Sequence, residues 1–137
     1  MPAVQLCAEF ALFPDNLQLG PSFSLTGYDF VQPAGGMLMF VNVTGSEKGL
    51  QFPEQGIEIT LPVPITRVTL RLGAFRDPVE INALDSTGAV VRTRTINTLN
   101  VYVNVGMGAP EIATITLSKG GNEGILVSIC ETITVVP

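Results

Sequence analysis

The sequence contains no histidine and no tryptophan. Without an imidazole, the chain lacks the usual general base, the commonest transition-metal ligand and any imidazole-dependent catalytic triad. We therefore assign no catalytic residue, no metal ligand and no cofactor, and we do not predict an enzyme. The absence of indole rings also means that a flat platform for stacking sugars has to be built from Tyr or Phe.

Charged residues are scarce, at 14% of the chain against about 25% in typical soluble domains. Seven Lys and Arg face twelve Asp and Glu, which gives a net charge of −5. An acidic chain offers no electrostatic footprint for a phosphate backbone, so nucleic acid is excluded as a partner. Hydrophobic residues reach 46% and the mean hydropathy is +0.42. This apolar surface must be buried in a core or against other subunits.

Long hydrophobic runs are also missing. No stretch approaches the roughly 20 apolar residues of a membrane-spanning helix, so we predict no integral membrane segment. The opening residues MPAVQ have neither the basic region nor the apolar region of a signal peptide. We predict an extracellular or cell-surface location if the chain is a mature or trimmed segment. A length of 137 residues predicts one domain, 1–137.

What the sequence has is alternation of apolar and polar residues. It is clearest in Ile65–Leu72, where the period of two predicts a strand with one wet face. No window has helical spacing with caps, and 10 prolines and 14 glycines interrupt the chain. We predict an all-β fold, a two-sheet antiparallel β-sandwich of about ten short strands with little helix. The other strand-like segments are 6–12, 23–25, 28–31, 37–43, 49–52, 57–61, 79–84, 89–96, 99–105, 112–117 and 125–135.

The spacing of several segments resembles the galactose-binding-like and carbohydrate-binding jelly-roll sandwiches of bacterial surface and secreted proteins. The resemblance covers most of the chain and concerns strands and turns, so it implies the fold more than an activity. It also implies that the first and last strands lie together, which brings Cys7 near Cys130. The matching segments are Cys7–Phe10, Gly27–Phe30, Gly49–Phe52, Val68–Phe75, Val79–Val91 and Gly124–Cys130.

Cys7 and Cys130 lie near opposite ends of the sequence and do not form a C-x-x-C motif. A disulfide between them would close a loop of more than a hundred residues, worth about 4–5 kcal/mol in the chain-entropy model. It would imply an oxidising compartment. The alternative is two buried thiols that pack as small apolar side chains. The sequence leaves both open.

Several charged residues fall on the predicted strands between 57 and 96. On one sheet face they would form a cleft for an anionic or hydroxyl-rich ligand, because the guanidinium fork suits paired oxygen acceptors. The alternative is a solvated face with cross-strand ion pairs. The candidate ligand-binding residues are Arg67, Arg71, Arg92, Arg94 and Glu80, with Glu58 beside them.

The segment Met37–Val43 is almost wholly apolar. It is either a core strand or an edge strand that contacts a neighbouring subunit. In the second case, the candidate interface residues are Met37, Met39 and Phe40. We also considered calcium, but the three acids available, Glu9, Asp15 and Glu131, fall short of the six to eight oxygen ligands that the ion takes.

These observations favour a non-catalytic binding module of a bacterial surface or secreted protein, with glycan or another polymer as its ligand. The alternative is a self-assembling structural subunit of a fibre, appendage or shell, whose partners are copies of itself or sister subunits. The low charge and apolar strands favour the alternative, and the jelly-roll resemblance favours the binding module. An enzyme ranks last because histidine is absent.

Overall fold

The computed structural model describes residues 3–33 and 39–134. In this part of the chain there is no α-helix, and the one helical element is a single 3-10 turn at Gly120–Asn122. The strands are β1 (Ala3–Glu9), β2 (Ser22–Leu25), β3 (Tyr28–Val31), β4 (Phe40–Thr44), β5 (Glu47–Phe52), β6 (Ile57–Ala74), β7 (Val79–Leu84), β8 (Val90–Ile96), β9 (Val101–Lys119) and β10 (Gly124–Thr134).

The ten strands are hydrogen-bonded into one antiparallel sheet that folds into two layers through β6 and β9. The first half of β6 pairs with β3 and with the second half of β9, whereas its second half pairs with β10 and with the first half of β9. The front layer contains β1, β4, β5 and β10 with the second half of β6. The back layer contains β2, β3, β7 and β8 with the first half of β6.

The core lies between the layers and takes alternate residues of each strand. The register between β6 and β9 is irregular from Thr60 to Arg67. Across this stretch the buried positions of β6 change from odd to even residue numbers. This is expected at a β-bulge, where extra residues reverse the face to which the following side chains point. The buried side chains are Ile57, Ile59 and Leu61 before the irregularity and Val68, Leu70 and Leu72 after it.

The predicted β-sandwich is confirmed, and β3 and β7 have the predicted bounds. The expectation of short strands throughout is wrong for β6 and β9, which are 18 and 19 residues long and each join two predicted strands. Pro62 and Pro64 suggested a break. They fall where the ladder with β9 is already irregular, so a missing backbone N–H is tolerated there.

Cys7 lies directly opposite Cys130 where β1 pairs with β10. The two Cα atoms are 4.1 Å apart and the sulfurs form a disulfide of 2.10 Å. The first and last strands therefore lie together, as the resemblance implied. The alternative of two free buried thiols does not hold in this structure.

Tyr28 connects the two layers. Its ring is fully buried on β3 of the back layer. Its hydroxyl donates to the carbonyl of Leu6 at 2.5 Å and accepts from the backbone N–H of Glu131 at 3.0 Å. Both partners belong to the front layer, so one phenol satisfies two backbone groups of neighbouring strands.

The proposed interface segment is only partly described, because Met37 lies outside the described residues. Met39 is fully buried in the core and is therefore unavailable to a partner, which corrects its assignment to an interface. Phe40 is half-buried and pairs with Gln51 of β5. For Met39, the core alternative is the right one.

Candidate functional site

The outward surface of the front layer carries the candidate site. Because Leu70 and Leu72 point into the core, Arg71 points outward from β6. On the neighbouring β9, the residue opposite Arg71 is Asn104, and Gly73 lies opposite Tyr102. We call this surface the front face, defined by Arg67, Thr69 and Arg71 of β6 with Tyr102, Asn104, Gly106 and Gly108 of β9.

Arg71 is the centre of a polar network on the front face. Its Nε donates to Oε1 of Glu47 at 2.7 Å and its Nη2 donates to Oε2 at 2.5 Å, which is a bidentate ion pair. Its Nη1 donates to Oδ1 of Asn104 at 3.0 Å. These hydrogen bonds fix the side chains of Glu47, Arg71 and Asn104. The guanidinium and carboxylate groups are both planar, so their two parallel bonds also fix their orientation. The amide hydrogens of the exposed Asn104 remain available to a ligand.

An aromatic pair borders this network. The Tyr102 ring meets Phe75 edge to face, with centroids 5.1 Å apart, and the Arg71 guanidinium lies 5.9 Å from the Tyr102 centroid. The Tyr102 hydroxyl donates to the carbonyl of Thr44 at 2.7 Å. The ring is therefore held in place before any ligand arrives.

The charges of this network follow from its contacts. Hydrogen bonding to Arg71 keeps the pKa of the Glu47 carboxyl below its ordinary value, so Glu47 is ionised at neutral pH. Burial, together with the Glu47 charge, raises the pKa of Tyr102 to about 12. The phenol therefore stays protonated and can donate. Neither group is poised to exchange a proton near neutral pH.

A cavity of about 280 Å³ opens beside the network, between the β4–β5 turn and the start of β9. Two further cavities, of about 280 and 200 Å³, lie over β2 and β3 and over the Gln55–Glu58 segment. Neither contains an ion pair held against an aromatic ring. The residues around the first cavity include Ser46, Glu47, Arg71, Phe75, Val101 and Tyr102.

The structure does not bring the predicted ligand-binding residues onto one face. Arg67 and Arg71 lie on the front face, and Nη1 of Arg94 reaches the carbonyl of Gly106 at 3.4 Å. Arg92 is exposed on the edge strand β8. Glu80 points outward from the back layer, where it pairs with Lys119 at 2.9 Å. The exposed Glu58 also belongs to the back layer.

Most partners of Arg71 could not be predicted from the sequence. Glu47 is 24 residues away and Asn104 is 33 residues away along the chain, so no local pattern connects them. The glycines at 106 and 108 were a usable signal. Two glycines at alternate positions of a strand remove the side chains from one face, which often marks a place where a ligand approaches the backbone.

The three acids considered for calcium lie apart. Glu9 is exposed, Asp15 forms an ion pair with Lys48 at 2.8 Å, and Glu131 is fully buried. In residues 3–33 and 39–134, no three His, Cys, Asp or Glu side chains cluster as metal ligands. In the same residues, no helix is long and apolar enough to cross a bilayer.

Glu131 is an unusual acid because its carboxyl group is buried and neither oxygen has a hydrogen-bond partner among the residues that the structure describes. Burial raises its pKa, since the charged form loses its hydration. The folded protein therefore binds a proton more tightly at this site than the unfolded chain does. The destabilising contribution of Glu131 is absent below the unfolded pKa of about 4.5 and grows as the pH rises through the folded pKa.

We expect the Glu131→Gln variant to be more stable than the natural chain at pH 8, by about 1 kcal/mol or more, because it places no charge in the core. Below about pH 4 this advantage should vanish, since the carboxyl is then neutral. Urea unfolding of both proteins between these pH values measures the difference. An advantage that does not change with pH would contradict the assignment of Glu131 as the responsible group.

No protein-family model and no curated protein matches the sequence. Solved structures do match. Two family 29 carbohydrate-binding modules, one described as a CBM29-2 mutant and one as CBM29_1 from Piromyces equi, align with TM-scores of 0.56 and identities of 12% and 9%. The alignments cover 99% of each chain for the first, and 98% of this chain and 93% of the other for the second.

An arabinose-bound MgGH51 α-L-arabinofuranosidase also aligns, with a TM-score of 0.53 and 11% identity. The alignment covers 96% of this chain but only 27% of the enzyme. At these identities the likeness concerns the fold. The chain has the β-sandwich fold of the carbohydrate-binding modules.

Proposed function

We propose that this chain is a non-catalytic glycan-binding module that holds a sugar chain on its front face. The observation that carries the proposal is the Glu47–Arg71–Asn104 network, fixed on an exposed sheet surface beside Tyr102. A carboxylate, a guanidinium and an amide in a row present both acceptors and donors, which suits the vicinal hydroxyl groups of a sugar. Because these groups are already held by one another, little side-chain entropy is lost when a ligand binds.

The fold supports the same proposal, since its structural neighbours are named as carbohydrate-binding modules. The chemistry of the cavity agrees with binding rather than hydrolysis. Glycoside hydrolysis usually needs two carboxyl groups with different protonation states. Of the residues that line the cavity, only Glu47 carries a carboxyl group, and Arg71 keeps it ionised.

We further propose that the module works outside the cell, on or near a bacterial surface. The Cys7–Cys130 disulfide supports this, because such bonds persist in oxidising compartments. Self-assembly remains a prediction. Light scattering of the purified chain tests it, since a subunit of a fibre or shell would increase in size with concentration.

The Asn104→Ala variant tests the site. We expect affinity for the best-bound polysaccharide of a panel to fall about tenfold, because the amide contacts both Arg71 and the ligand. The stability should change by less than about 0.5 kcal/mol, since Asn104 is exposed. Isothermal titration calorimetry and urea unfolding measure the two effects.

The matched control is Asn97→Ala, which removes the same side chain from an exposed loop position that neither lines the cavity nor contributes to the network. Its affinity should equal that of the natural chain. Equal affinity for the Asn104→Ala variant as well would show that the front face is not the binding surface. Absence of binding to any polysaccharide of the panel would contradict the function itself.

A further inference from the structure

Two further arginines, Arg67 of β6 and Arg94 of β8, reach Gly106 of β9. Arg67 projects from β6, and its Nη2 would lie 3.6 Å from a Cβ built on Gly106. Arg94 approaches from β8, with Nη1 3.4 Å from the carbonyl oxygen of Gly106. Two guanidinium groups from separate strands therefore reach Gly106, that of Arg67 on its outward side and that of Arg94 at its carbonyl oxygen.

Neither of these arginines is paired with an acid in the structure. The ion pairs found in residues 3–33 and 39–134 are Lys48–Asp15, Arg71–Glu47 and Lys119–Glu80. The chain has twelve Asp and Glu against seven Lys and Arg. Without a carboxylate partner, the two guanidinium groups leave most of their N–H donors to solvent or a ligand.

The surface under them is open. Gly106 and Gly108 leave the outward face of this part of β9 without side chains, and Gly108 would place a Cβ no closer than 3.7 Å to its nearest neighbour, the carbonyl of Thr66. A ligand can thus approach the backbone of β9 beside Arg67. A carboxylate that approaches here can accept two parallel hydrogen bonds from a guanidinium group.

We propose that the glycan bound by this module carries carboxylate groups, and that Arg67 and Arg94 bind the carboxylate of a uronic acid residue over Gly106. This inference rests on the proposed glycan-binding function and names its substrate class. The Glu47–Arg71–Asn104 network binds hydroxyl groups of a neighbouring residue of the same glycan, because Arg67 and Arg71 project from the same face of β6. The module thus distinguishes acidic from neutral polysaccharides.

The test compares polygalacturonate with the same polymer after its carboxylates have been reduced to primary alcohols. We expect the natural chain to bind polygalacturonate at least about tenfold more tightly, and this preference to shrink as NaCl is raised from about 50 to 300 mM. The Arg67→Gln/Arg94→Gln double variant should lose the preference and keep its affinity for the reduced polymer. The control is Arg76→Gln, which removes one positive charge from the loop beside Gly121. This variant should keep the preference for polygalacturonate.

The Gly106→Val variant tests the geometry without removing charge. Its backbone lies outside the left-handed region and a new Cβ meets nothing closer than Arg67, so we expect it to fold and to bind polygalacturonate at least about tenfold more weakly. Its thermal unfolding should match that of the natural chain.

Equal affinity for the two polymers, or a preference that survives the double variant, would overturn the uronate assignment while leaving glycan binding intact. Equally tight binding of dextran sulfate would overturn it as well, because it would show an unspecific anion site. Absence of binding to every polymer, neutral or acidic, would instead overturn the proposed function on which the inference rests.

Discussion

Replacement of both cysteines in the Cys7→Ala/Cys130→Ala variant should destabilise the protein by about 4–5 kcal/mol and lower its melting temperature by roughly 10–20 °C. The bond joins residues 123 positions apart, so it restricts almost the whole unfolded chain. In the folded state the two strands remain paired without it, because β1 and β10 are aligned from Ala3–Thr134 to Glu9–Ser128. The loss therefore comes mainly from the unfolded state, whose entropy rises when the cross-link is removed.

Differential scanning calorimetry with and without dithiothreitol measures this effect. Reduction should lower the melting temperature of the natural chain toward that of the double variant, and it should not affect the variant. If reduction left the natural chain within about 2 °C of its oxidised value, the bond would contribute little and the argument from loop closure would fail for this protein.

The Tyr28→Phe substitution should cost about 1–3 kcal/mol, because it removes a single oxygen atom that serves two backbone groups, one of them fully buried. The carbonyl of Leu6 would lose its donor and the N–H of Glu131 its acceptor. Glu131 is fully buried, so its N–H would have no water to replace the phenol, whereas Leu6 is only partly buried. An unsatisfied buried backbone group costs about 1–3 kcal/mol. Urea unfolding at pH 7 gives the loss directly.

Tyr102→Phe is the matched control, since it removes the same oxygen from the other tyrosine. The Tyr102 hydroxyl also donates to a backbone carbonyl, that of Thr44, but the side chain is half-buried and water can replace the contact. We expect a loss below about 1 kcal/mol. If the two variants lost equal stability, the hydrogen bonds of Tyr28 between the layers would contribute no more than an ordinary half-buried hydrogen bond.

Alternation of side chains and turn chemistry were enough to predict the fold class from the sequence. They located β3 and β7 correctly because these strands are short, half-buried and bounded by clear turns. They failed at β6, where Pro62 and Pro64 read as a break. A proline ends a strand only where the paired strand needs a hydrogen bond from the missing N–H. The strand paired with β6 here is β9, which comes from a distant part of the chain.

The candidate site was predictable only in part. The outward direction of Arg67 and Arg71 follows from the period of two, and both lie on the front face. The prediction that Glu80 shares a face with these arginines depended on which strands are neighbours. In the structure Glu80 lies on the back layer and Arg67 and Arg71 lie on the front face. Contacts such as Arg71 with Glu47, or Arg94 with Gly106, depend on strand order and on how the sheet folds over itself, which no local pattern encodes.

The passage of β6 and β9 through both layers has a consequence for how the domain opens. Each of these strands contributes one half to the front layer and the other to the back layer, so unfolding either layer breaks half of the β6–β9 ladder. Partial unfolding of one layer alone is thereby disfavoured. The slowest-exchanging amide protons should thus belong to this ladder and report the free energy of global unfolding, whereas those of the outer strand β8 exchange through local fraying.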